Sequence, residues 1–285
     1  MINSTRYHLS AEINRQQKLA ADIARAQSDI SNETRLQRPS DDPAASARVA
    51  DIRRAQANEG VWAKNIDAAS ALATRADSAL SGITSMLDRA RELMTFANNG
   101  TYNDADRKAF AVELRSIAAE IGDIAQTKDS RGQLLFPDST PLAVPIGPGV
   151  FIAPSVPQDG MFTNLQTASG PKGLAAIISG AADAIELTDK AEREAASTIA
   201  LDEVLLAVDN TAIVRGDQGV RAARLDSARE RFASSGLVHS EERGKLENTD
   251  IPETVAKLQA KQLSLEAAQA VFTRINRQTL FDLLG

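Results

Sequence analysis

Both ends of this chain carry a seven-residue repeat of apolar side chains, and this repeat limits what the chain can fold into. Near the carboxyl end it falls on Ile251, Leu258, Leu265 and Phe272, with a second line at Val255, Gln262, Gln269, Asn276 and Leu283. Near the amino end it falls on Ile2, Leu9, Gln16, Ile23 and Ile30, with Ile13 and Ala20 on the second line. A lone helix cannot bury such a line. We therefore expect the two ends to pair as one coiled coil, with the amides either fixing its register or lying near water.

A proline-rich turn follows the first helix, which is predicted to end near Thr34. Pro39 and Pro43 break a helix and favour extended backbone at the residues before them. Asp42 is placed to cap a new helix that has Pro43 at its first position, and Asp41 lies near the positive end of the helix dipole. We interpret both carboxylates as turn and capping groups, since a catalytic pair needs a pocket and partners that the sequence does not show.

The next helix has the most regular pattern in the chain. Alternating steps of three and four from Ile52 to Ala97 meet one polar residue, Glu59, over six heptads. This pattern predicts a long helix packed against other long helices, with Trp62 and Met94 in the core. A further seam of Phe110, Leu114, Ile117, Ile121 and Ile124 predicts a helix that folds back antiparallel and ends near Lys128.

Residues 129–172 differ in composition from the helical segments on either side. They hold seven of the ten prolines of the chain, and two short apolar runs flank Gly147-Pro148-Gly149. The pattern predicts a β-hairpin on an open edge, too small to have a core of its own. We expect it to project at the far end of the helices.

Helical periodicity returns after Pro171. Leu174, Ile178, Ala181 and Ile185 share one face, and a helix is predicted from about Ala191 to Phe232. Its candidate buried residues are Ile199, Leu205, Val208, Ala212 and Leu225. Five arginines between positions 215 and 231 alternate with acidic residues, which favours a salt-bridged surface over a phosphate-binding patch. Ser234 to Gly236 are expected to weaken the helix, and Pro252 to mark a kink or restart.

These patterns predict a mainly α fold, a long antiparallel bundle of helical rods with paired N- and C-terminal coiled-coil helices and a small β-hairpin insertion. Residues 1–40 and 246–285 would form a terminal assembly domain, 41–128 and 173–245 a helical rod domain, and 129–172 a small outer element. The candidate assembly contacts are Ile2, Leu9, Ile13, Ile23, Ile30, Ile251, Val255, Leu258, Leu265, Phe272, Leu280 and Leu283. The structural turn consists of Pro39, Asp41, Asp42 and Pro43.

Composition argues against several classes of protein. The chain has no cysteine and two histidines, His8 and His239, and it has neither a phosphate-binding glycine loop nor a nucleophile elbow, so we expect no enzyme, cofactor or metal site. A net charge of -6 and a pI near 5.2 argue against nucleic-acid binding. No apolar run is long enough for a membrane span, which also disfavours a membrane-linked coiled-coil receptor, and the first residues lack the apolar segment of a cleaved signal peptide.

The order of these segments, with particular stretches of sequence, resembles the flagellin superfamily. The stretches most similar to that family are RPSDDPAASARVADIR at 38–53, NNGTYNDADRKAFAVELRSIAAEI at 98–121, DSRGQLLF at 129–136 and VPIGPGVFIAPSVPQDGMF at 144–162, together with the final forty residues and their LF-x-x-L ending. They look more like the hook-associated proteins of the hook–filament junction than like filament flagellin. The chain departs from that pattern in its outer element, which is reduced to about forty residues, on the order of a single supersecondary motif.

The resemblance implies a structural subunit placed between hook and filament, which packs its terminal helices against neighbouring subunits. It implies secretion through the flagellar type III channel without a cleaved signal peptide. The implied partners are other copies of the chain, a neighbouring hook-associated protein, flagellin, and a cytoplasmic export chaperone on the C-terminal helix. Filament flagellin remains the alternative.

Overall fold

The computed structural model of the chain describes residues 2–99, 101–138 and 142–281, with side chains over 10–99, 101–138 and 142–274. Within these residues the helices are α1 (Ile2–Asn32), α2 (Pro43–Ala97), α3 (Asp104–Ala125), α4 (Leu174–Ile185), α5 (Lys190–Glu247) and α6 (Ile251–Phe281). The strands are β1 (Val144–Gly147), β2 (Val150–Ile152), β3 (Leu165–Thr167) and β4 (Gly170–Lys172). The predicted fold class is confirmed, since the chain is mainly helical with antiparallel helices, paired terminal helices and a small hairpin.

The chain divides into two compact units. A terminal unit comprises Met1–Gln56 and Gly236–Gly285, and a central unit comprises Ala57–Ser235. The long helices α2 and α5 each contribute to both units because they continue through the boundary. Each unit is described by itself below.

The alanine-rich seam of α2 forms one wall of the central core. Its residues from Ile66 to Met94 that follow the three-four steps are all buried, among them Leu80, Ile83 and Leu87 with no measurable exposure. Trp62 is half-buried and stacks on Phe232 of α5, with ring centroids 5.4 Å apart. The periodicity of the sequence thus predicts the inward face of α2 correctly.

Helix α3 begins with a capping box and folds back along α2. The Asn103 side chain accepts hydrogen bonds from the Ala105 and Asp106 amides at 2.8 and 3.0 Å, and the Asp106 carboxylate accepts one from the Asn103 amide at 3.1 Å. Arg89 of α2 binds Glu113 of α3 at 2.7 Å. Reciprocal capping satisfies amides at the helix start that lack an intrahelical partner.

Helix α5 is rotated relative to the sequence-based prediction. Ile199, Leu205 and Ala212 are exposed and Val208 is half-buried, whereas Leu225 is buried as predicted. The inward line is instead formed mostly by small residues, Ser197, Ala200, Val204, Ala207 and Thr211. Small side chains let two helix axes approach closely. Several of the larger aliphatic residues, Ile199, Leu205, Leu206 and Ile213, therefore point away from the core.

The predicted end of this helix near Phe232 is wrong, because α5 continues through Ser234 to Gly236 without interruption and ends at Glu247. Ser235 donates a hydrogen bond to Glu59 of α2 at 2.6 Å within the central unit. In the terminal unit, Arg48 binds Glu242 at 2.6 Å. A helical glycine costs about 1 kcal/mol relative to alanine, an amount that side-chain contacts along a long helix offset. The helical structure is interrupted at residues 248–250, and α6 begins at Ile251, immediately before Pro252.

The predicted hairpin is present, but it lies against the sides of the helices. Strands β1 and β2 pair antiparallel, and Gly149 turns between them with a φ of +69°. Ile146 and Ile152 are buried against Ile66 of α2 and Leu225 of α5. The expectation of a hairpin that projects at the far end of the helices is therefore wrong.

Side chains of α2 and α5 hold this segment by donating to its backbone carbonyls. Asn65 donates to Pro145 O, Gln218 to Pro154 O and Asn210 to Gly160 O, each at 2.9 Å. A segment rich in proline lacks amides for a regular ladder, so its carbonyl groups need donors from elsewhere. The side-chain amide groups of Asn65, Asn210 and Gln218 supply these donors.

A second hairpin, which the sequence did not predict, joins the first to α4. Strands β3 and β4 pair antiparallel, and Gly170 has a φ of +104°. Lys172 binds the buried Glu203 of α5 at 2.8 Å, and Thr167 also donates to that carboxylate. At Gly173, which caps α4, an added Cβ would lie 2.5 Å from the Phe162 carbonyl oxygen. The connection therefore requires glycine at this position.

Candidate assembly surface of the terminal helices

Helices α1 and α6 pack antiparallel in the terminal unit. Lys261 of α6 binds Asp22 of α1 at 2.8 Å, and Thr249 donates to the Asp29 carbonyl oxygen at 3.1 Å. At the base of the pair, the Arg35 amide donates to Glu247 O and the Thr249 amide to Glu33 O. These contacts fix the register of the two helices because each one joins a specific residue of one end of the chain to the other.

The seven-residue lines lie at this interface, but the second line of each helix is displaced by one residue. Gln16, Ile23 and Ile30 of α1 are half-buried, as are Leu258, Leu265 and Phe272 of α6. Between them lie Leu19 and Ala26 on α1, and Lys261 and Ala268 on α6, all half-buried.

The residues that the sequence placed on the second line mostly face outward. Ile13 is 41% exposed. Ala20, Gln262 and Gln269 are also exposed, whereas Val255 is half-buried. On each helix the half-buried second line begins three residues after a residue of the main line, whereas the predicted second line begins four residues after it. Residues three and four apart both lie on the same side of a helix, so the sequence permits either spacing. Gln262 and Gln269 therefore lie at the surface, whereas Gln16 lies in the seam.

The remaining predicted contacts are distributed as follows. Ile251 is 41% exposed at the start of α6. Ile2 and Leu9 lie on α1 and Leu280 on α6, at positions where the structure describes the backbone alone. Leu283 lies outside the described residues.

The seam between α1 and α6 is less deeply buried than the central core. Within residues 10–32 and 251–274 no side chain is fully buried. The Gln16 Nε2 atom is shielded from water, yet it has no hydrogen-bond partner in the described part of the chain. A shielded donor without a partner costs about 1–3 kcal/mol. One side of the pair is thus incompletely covered in a single chain.

A second apolar face on α6, which the sequence analysis missed, points away from α1. Leu263 is 69% exposed and Val271 is exposed as well. Ala267 and Ala270 lie between them and are also exposed. The spacing of four, three and one residues places all four on one side of the helix. The signal was present in the sequence, but the stronger seven-residue line concealed it.

The turn between α1 and α2 is held by its two aspartates. Asp42 accepts a hydrogen bond from the Ala45 amide at 3.0 Å, which caps α2 with Pro43 at its first position. Asp41 accepts one from the Arg38 amide at 2.8 Å and also binds Arg25 of α1 at 2.7 Å. The amide of Arg38 and the charge of Arg25 hold the pKa of Asp41 below its ordinary value. Both carboxylates are therefore engaged in shaping the turn after Pro39.

Asp22 and Asp41 of this surface are engaged in ion pairs with Lys261 and Arg25. Across the described side chains, no three histidine, cysteine, aspartate or glutamate residues come close enough together to hold a metal ion. None of the helices over the described residues has a stretch apolar and long enough to cross a membrane.

Comparison with known proteins gives consistent matches. Residues 2–140 match the family described as the bacterial flagellin N-terminal helical region. Flagellar hook-associated protein 3 of Escherichia coli is 24% identical over 287 residues, which cover 89% of this chain and 90% of that protein. A flagellin of Listeria monocytogenes is 31% identical over 105 residues, 37% of either chain.

The fold also matches a solved structure. The flagellar junction protein from Legionella pneumophila superposes with a TM-score of 0.59 at 15% identity, covering 70% of this chain and all of that one. At this identity the match is one of fold. Residues 2–140 match the bacterial flagellin N-terminal helical region, and the predicted resemblance of the chain to the flagellin superfamily, and within it to the hook-associated proteins, is confirmed.

Proposed function

We propose that this chain is a structural subunit of the bacterial flagellum that forms the junction layer between hook and filament. In this proposal α1 and α6 pack against the same helices of neighbouring subunits. The observation that carries the proposal is the partial burial of the seam between α1 and α6, with the unpaired Gln16 amide beside it. The similarity to a hook-associated protein and to a junction protein supports it.

The physical argument concerns how a two-helix pair completes its burial. In the central unit several helices and the hairpin segment surround each core residue, and Leu80 has no exposed surface. In the terminal unit α1 and α6 cover only one side of each other's seam. A neighbouring helix would bury the remainder and cover Leu263 and Val271. Order in the terminal helices and assembly of the subunits are then coupled.

We further propose the partners and the location of the chain. Its neighbours would be other copies of itself, an adjacent hook-associated protein and flagellin, and it would leave the cell through the flagellar export channel without a cleaved signal peptide. A cytoplasmic chaperone would cover the apolar faces of α6 before export, because such faces promote aggregation. A pull-down with the full chain tests this partner. Loss of a captured small helical protein in Leu263→Asp, with retention in Val61→Asp, would support it.

The proposal assigns the chain no catalytic role and no nucleic-acid or membrane partner. The carboxylates of the candidate surface bind arginine, lysine or backbone amides, as Asp22 and Asp41 do. The names of the relatives are those of flagellar structural parts.

Filament flagellin is a second candidate, favoured by the match to a Listeria flagellin. Purified protein added to filament seeds separates the two functions. A flagellin would extend the seeds into long filaments, whereas a junction protein would add only a short layer to hook ends.

Electron microscopy of cells that lack this gene tests the proposal directly. We expect bare hooks with flagellin released into the medium, and restoration of filaments by the intact gene. Normal filaments on the hooks of the deletion strain would exclude the junction function.

A further inference from the structure

The outward face of α5 in the central unit carries a second seven-residue repeat. Ile199, Leu206, Ile213 and Val220 are spaced seven apart, and all four are exposed. Ile213 is the most exposed of them, at 72%. We call this line the α5 stripe. Its two ends are 21 residues apart, about 32 Å at 1.5 Å per residue, and a stripe of this period and length is suited to packing along another helix.

The rotation of α5 explains why the stripe is free. Small residues such as Ala200 and Ala207 occupy the inward line, so the larger aliphatic residues beside them remain uncovered. Scattered exposed aliphatic residues need no explanation, but a regular line of four on one helix does.

Helix α3 presents a complementary stripe on its own outer face. Val112 is 66% exposed. It lies among small exposed residues, Ala105, Ala109, Ser116 and Ala119, which we call the α3 stripe. Small residues leave depressions into which the isoleucine and leucine side chains of a second helix can insert. Ala105, Val112 and Ala119 also follow a seven-residue spacing, as the α5 stripe does.

Contacts within the central unit show that the two stripes run parallel and at the same level. Arg89 of α2 binds Glu113 of α3 at 2.7 Å, and Asp77 of α2 lies 3.6 Å from Arg215 of α5. Arg89 lies twelve residues beyond Asp77 on α2, and twelve residues before Arg215 on the antiparallel α5 is Glu203. Glu113 is therefore level with about residue 203. This places Val112 within about one helical turn of the height of Leu206.

Beside Leu206 and Val112, near the middle of each stripe, the flanking charges are of opposite sign. Asp202 and Asp209 flank the α5 stripe and are exposed, and they too are spaced seven apart. Lys108 and Arg115 flank the α3 stripe with the same spacing. Arg115 also binds Asp183 and Glu186 of its own chain, so Lys108 is the basic residue more available to a partner. Complementary charges favour one alignment of the helices over others.

We infer that the α5 stripe of one subunit packs against the α3 stripe of a second copy of this chain. The inference rests on the proposed function and adds to it a contact between central units. A second copy related to the first by rotation about an axis parallel to the helices has its stripes at the same height and in the same direction. The α3 stripe of one copy can therefore lie alongside the α5 stripe of the other. The contact uses two different faces, and repeating it around such an axis forms a ring when the rotation between subunits divides a full turn evenly.

Paired cysteine substitutions test the contact, because the chain contains no cysteine of its own. The full-length double variant Val112→Cys/Leu206→Cys is expressed in flagellated cells and oxidised. We expect disulfide-linked products at successive multiples of the chain mass. The matched control is Val112→Cys/Val61→Cys, because Val61 is exposed on α2 outside both stripes. It should stay monomeric, as should each single variant.

The outcomes separate the contact from the function. Immunogold labelling first establishes whether the chain is present at hook tips. If it is present there and the Val112/Leu206 pair gives no linked products, or Leu206→Cys alone dimerises equally well, the contact is wrong and the junction function stands. If the chain is absent from hook tips, the proposed function fails and the contact fails with it.

A further variant distinguishes an effect on assembly from an effect on folding. Ile213→Asp changes a side chain that makes little contact in the monomer, so its melting temperature should stay within about 1–2 °C of the parent. We expect loss of filament attachment in Ile213→Asp, and full attachment in Val61→Asp. Equal attachment in both variants would overturn the inference.

Discussion

Removal of the same side chain at two positions, Leu80→Ala and Leu265→Ala, should separate folding from assembly. Leu80 is fully buried in the central core between α2 and its neighbours. Leu265 is half-buried in the seam between α1 and α6. The chemistry of the two substitutions is identical, so any difference between them reflects the location of each leucine.

The expected magnitudes follow from burial. Truncation of a fully buried leucine costs about 2–5 kcal/mol through lost transfer energy and the cavity that remains. The central unit has a length at which 1 kcal/mol shifts the melting temperature by about 2–4 °C. For a cost near 3 kcal/mol, Leu80→Ala should melt about 6–12 °C lower. Leu265→Ala removes a half-covered side chain from the terminal unit, so the transition of the central unit should move by less than about 2 °C.

The assay pairs calorimetry of both purified monomers with electron microscopy of cells that carry each variant. Leu265→Ala should leave many hooks without filaments despite its parental melting temperature. Leu265→Met, which preserves volume, serves as the control and should retain filaments. A melting temperature for Leu265→Ala as low as that of Leu80→Ala would refute the reasoning, because the terminal helix would then belong to the core of the monomer. Normal filament attachment in Leu265→Ala would refute the assembly role.

Three further predictions concern single positions. Gly173→Ala should destabilise the central unit because the added Cβ meets the Phe162 carbonyl, whereas Gly180→Ala, in open space on α4, should raise its melting temperature through a gain of about 0.5–1 kcal/mol; equal effects in calorimetry would contradict this. Burial raises the pKa of Glu203, but hydrogen bonds from Lys172, Ser169 and Thr167 outweigh it and hold the pKa below 4.5. The stability from this carboxylate is thus present above pH 4.5 and is lost as the pH falls through the lowered pKa, so melting curves of Glu203→Gln should depend less on pH below 4.5 than those of the parent. Glu33→Gly should slow hydrogen exchange at the Thr249 amide, because Glu33 has a φ of +55° at a cost of about 1 kcal/mol that glycine avoids; faster exchange would count against it.

The sequence predicted α2 more accurately than α5, and the reason is the size of the inward residues. On α2 the inward line contains Leu80, Ile83 and Leu87, so the most apolar residues and the buried residues coincide. On α5 the inward line is mostly alanine, serine and threonine, with Val204 among them, and larger apolar residues such as Ile199 lie beside it. A ranking by hydrophobicity selects Ile199 there, although close packing against an alanine-rich helix selects Ala200.

In the terminal helices the sequence predicted the pairing and the main line but not the second line. Both a three-residue and a four-residue step from Leu258 remain on one side of a helix. In the structure the three-residue step is the one that faces α1, and its side chain, Lys261, binds Asp22. This choice depends on a residue more than two hundred positions away, and no local pattern contains it.

The sequence predicted the presence of the hairpin correctly but its position on the helices wrongly. Gly147-Pro148-Gly149 correctly predicted a turn, but the site where it docks depends on Asn65 and Gln218, which lie on other elements. From the sequence alone, a polar residue within a helical pattern indicates only which face of the helix it occupies. Their function as donors to a distant backbone carbonyl became visible only with the fold.

The attachment of the β1–β2 hairpin to α2 and α5 also determines where foreign sequence can be inserted into this protein. Pro148 and Gly149 are exposed at the tip of the turn, while the flanking strands are fastened through Pro145 and Ile152. An epitope inserted between Pro148 and Gly149 would leave both anchors intact and would be displayed on the outside of the helices. The same insertion next to Gln158, which is buried and donates to the Ala125 carbonyl oxygen, would separate the segment from its support. The turn at Gly149 is thus a site for surface display, and the residues that follow it are not.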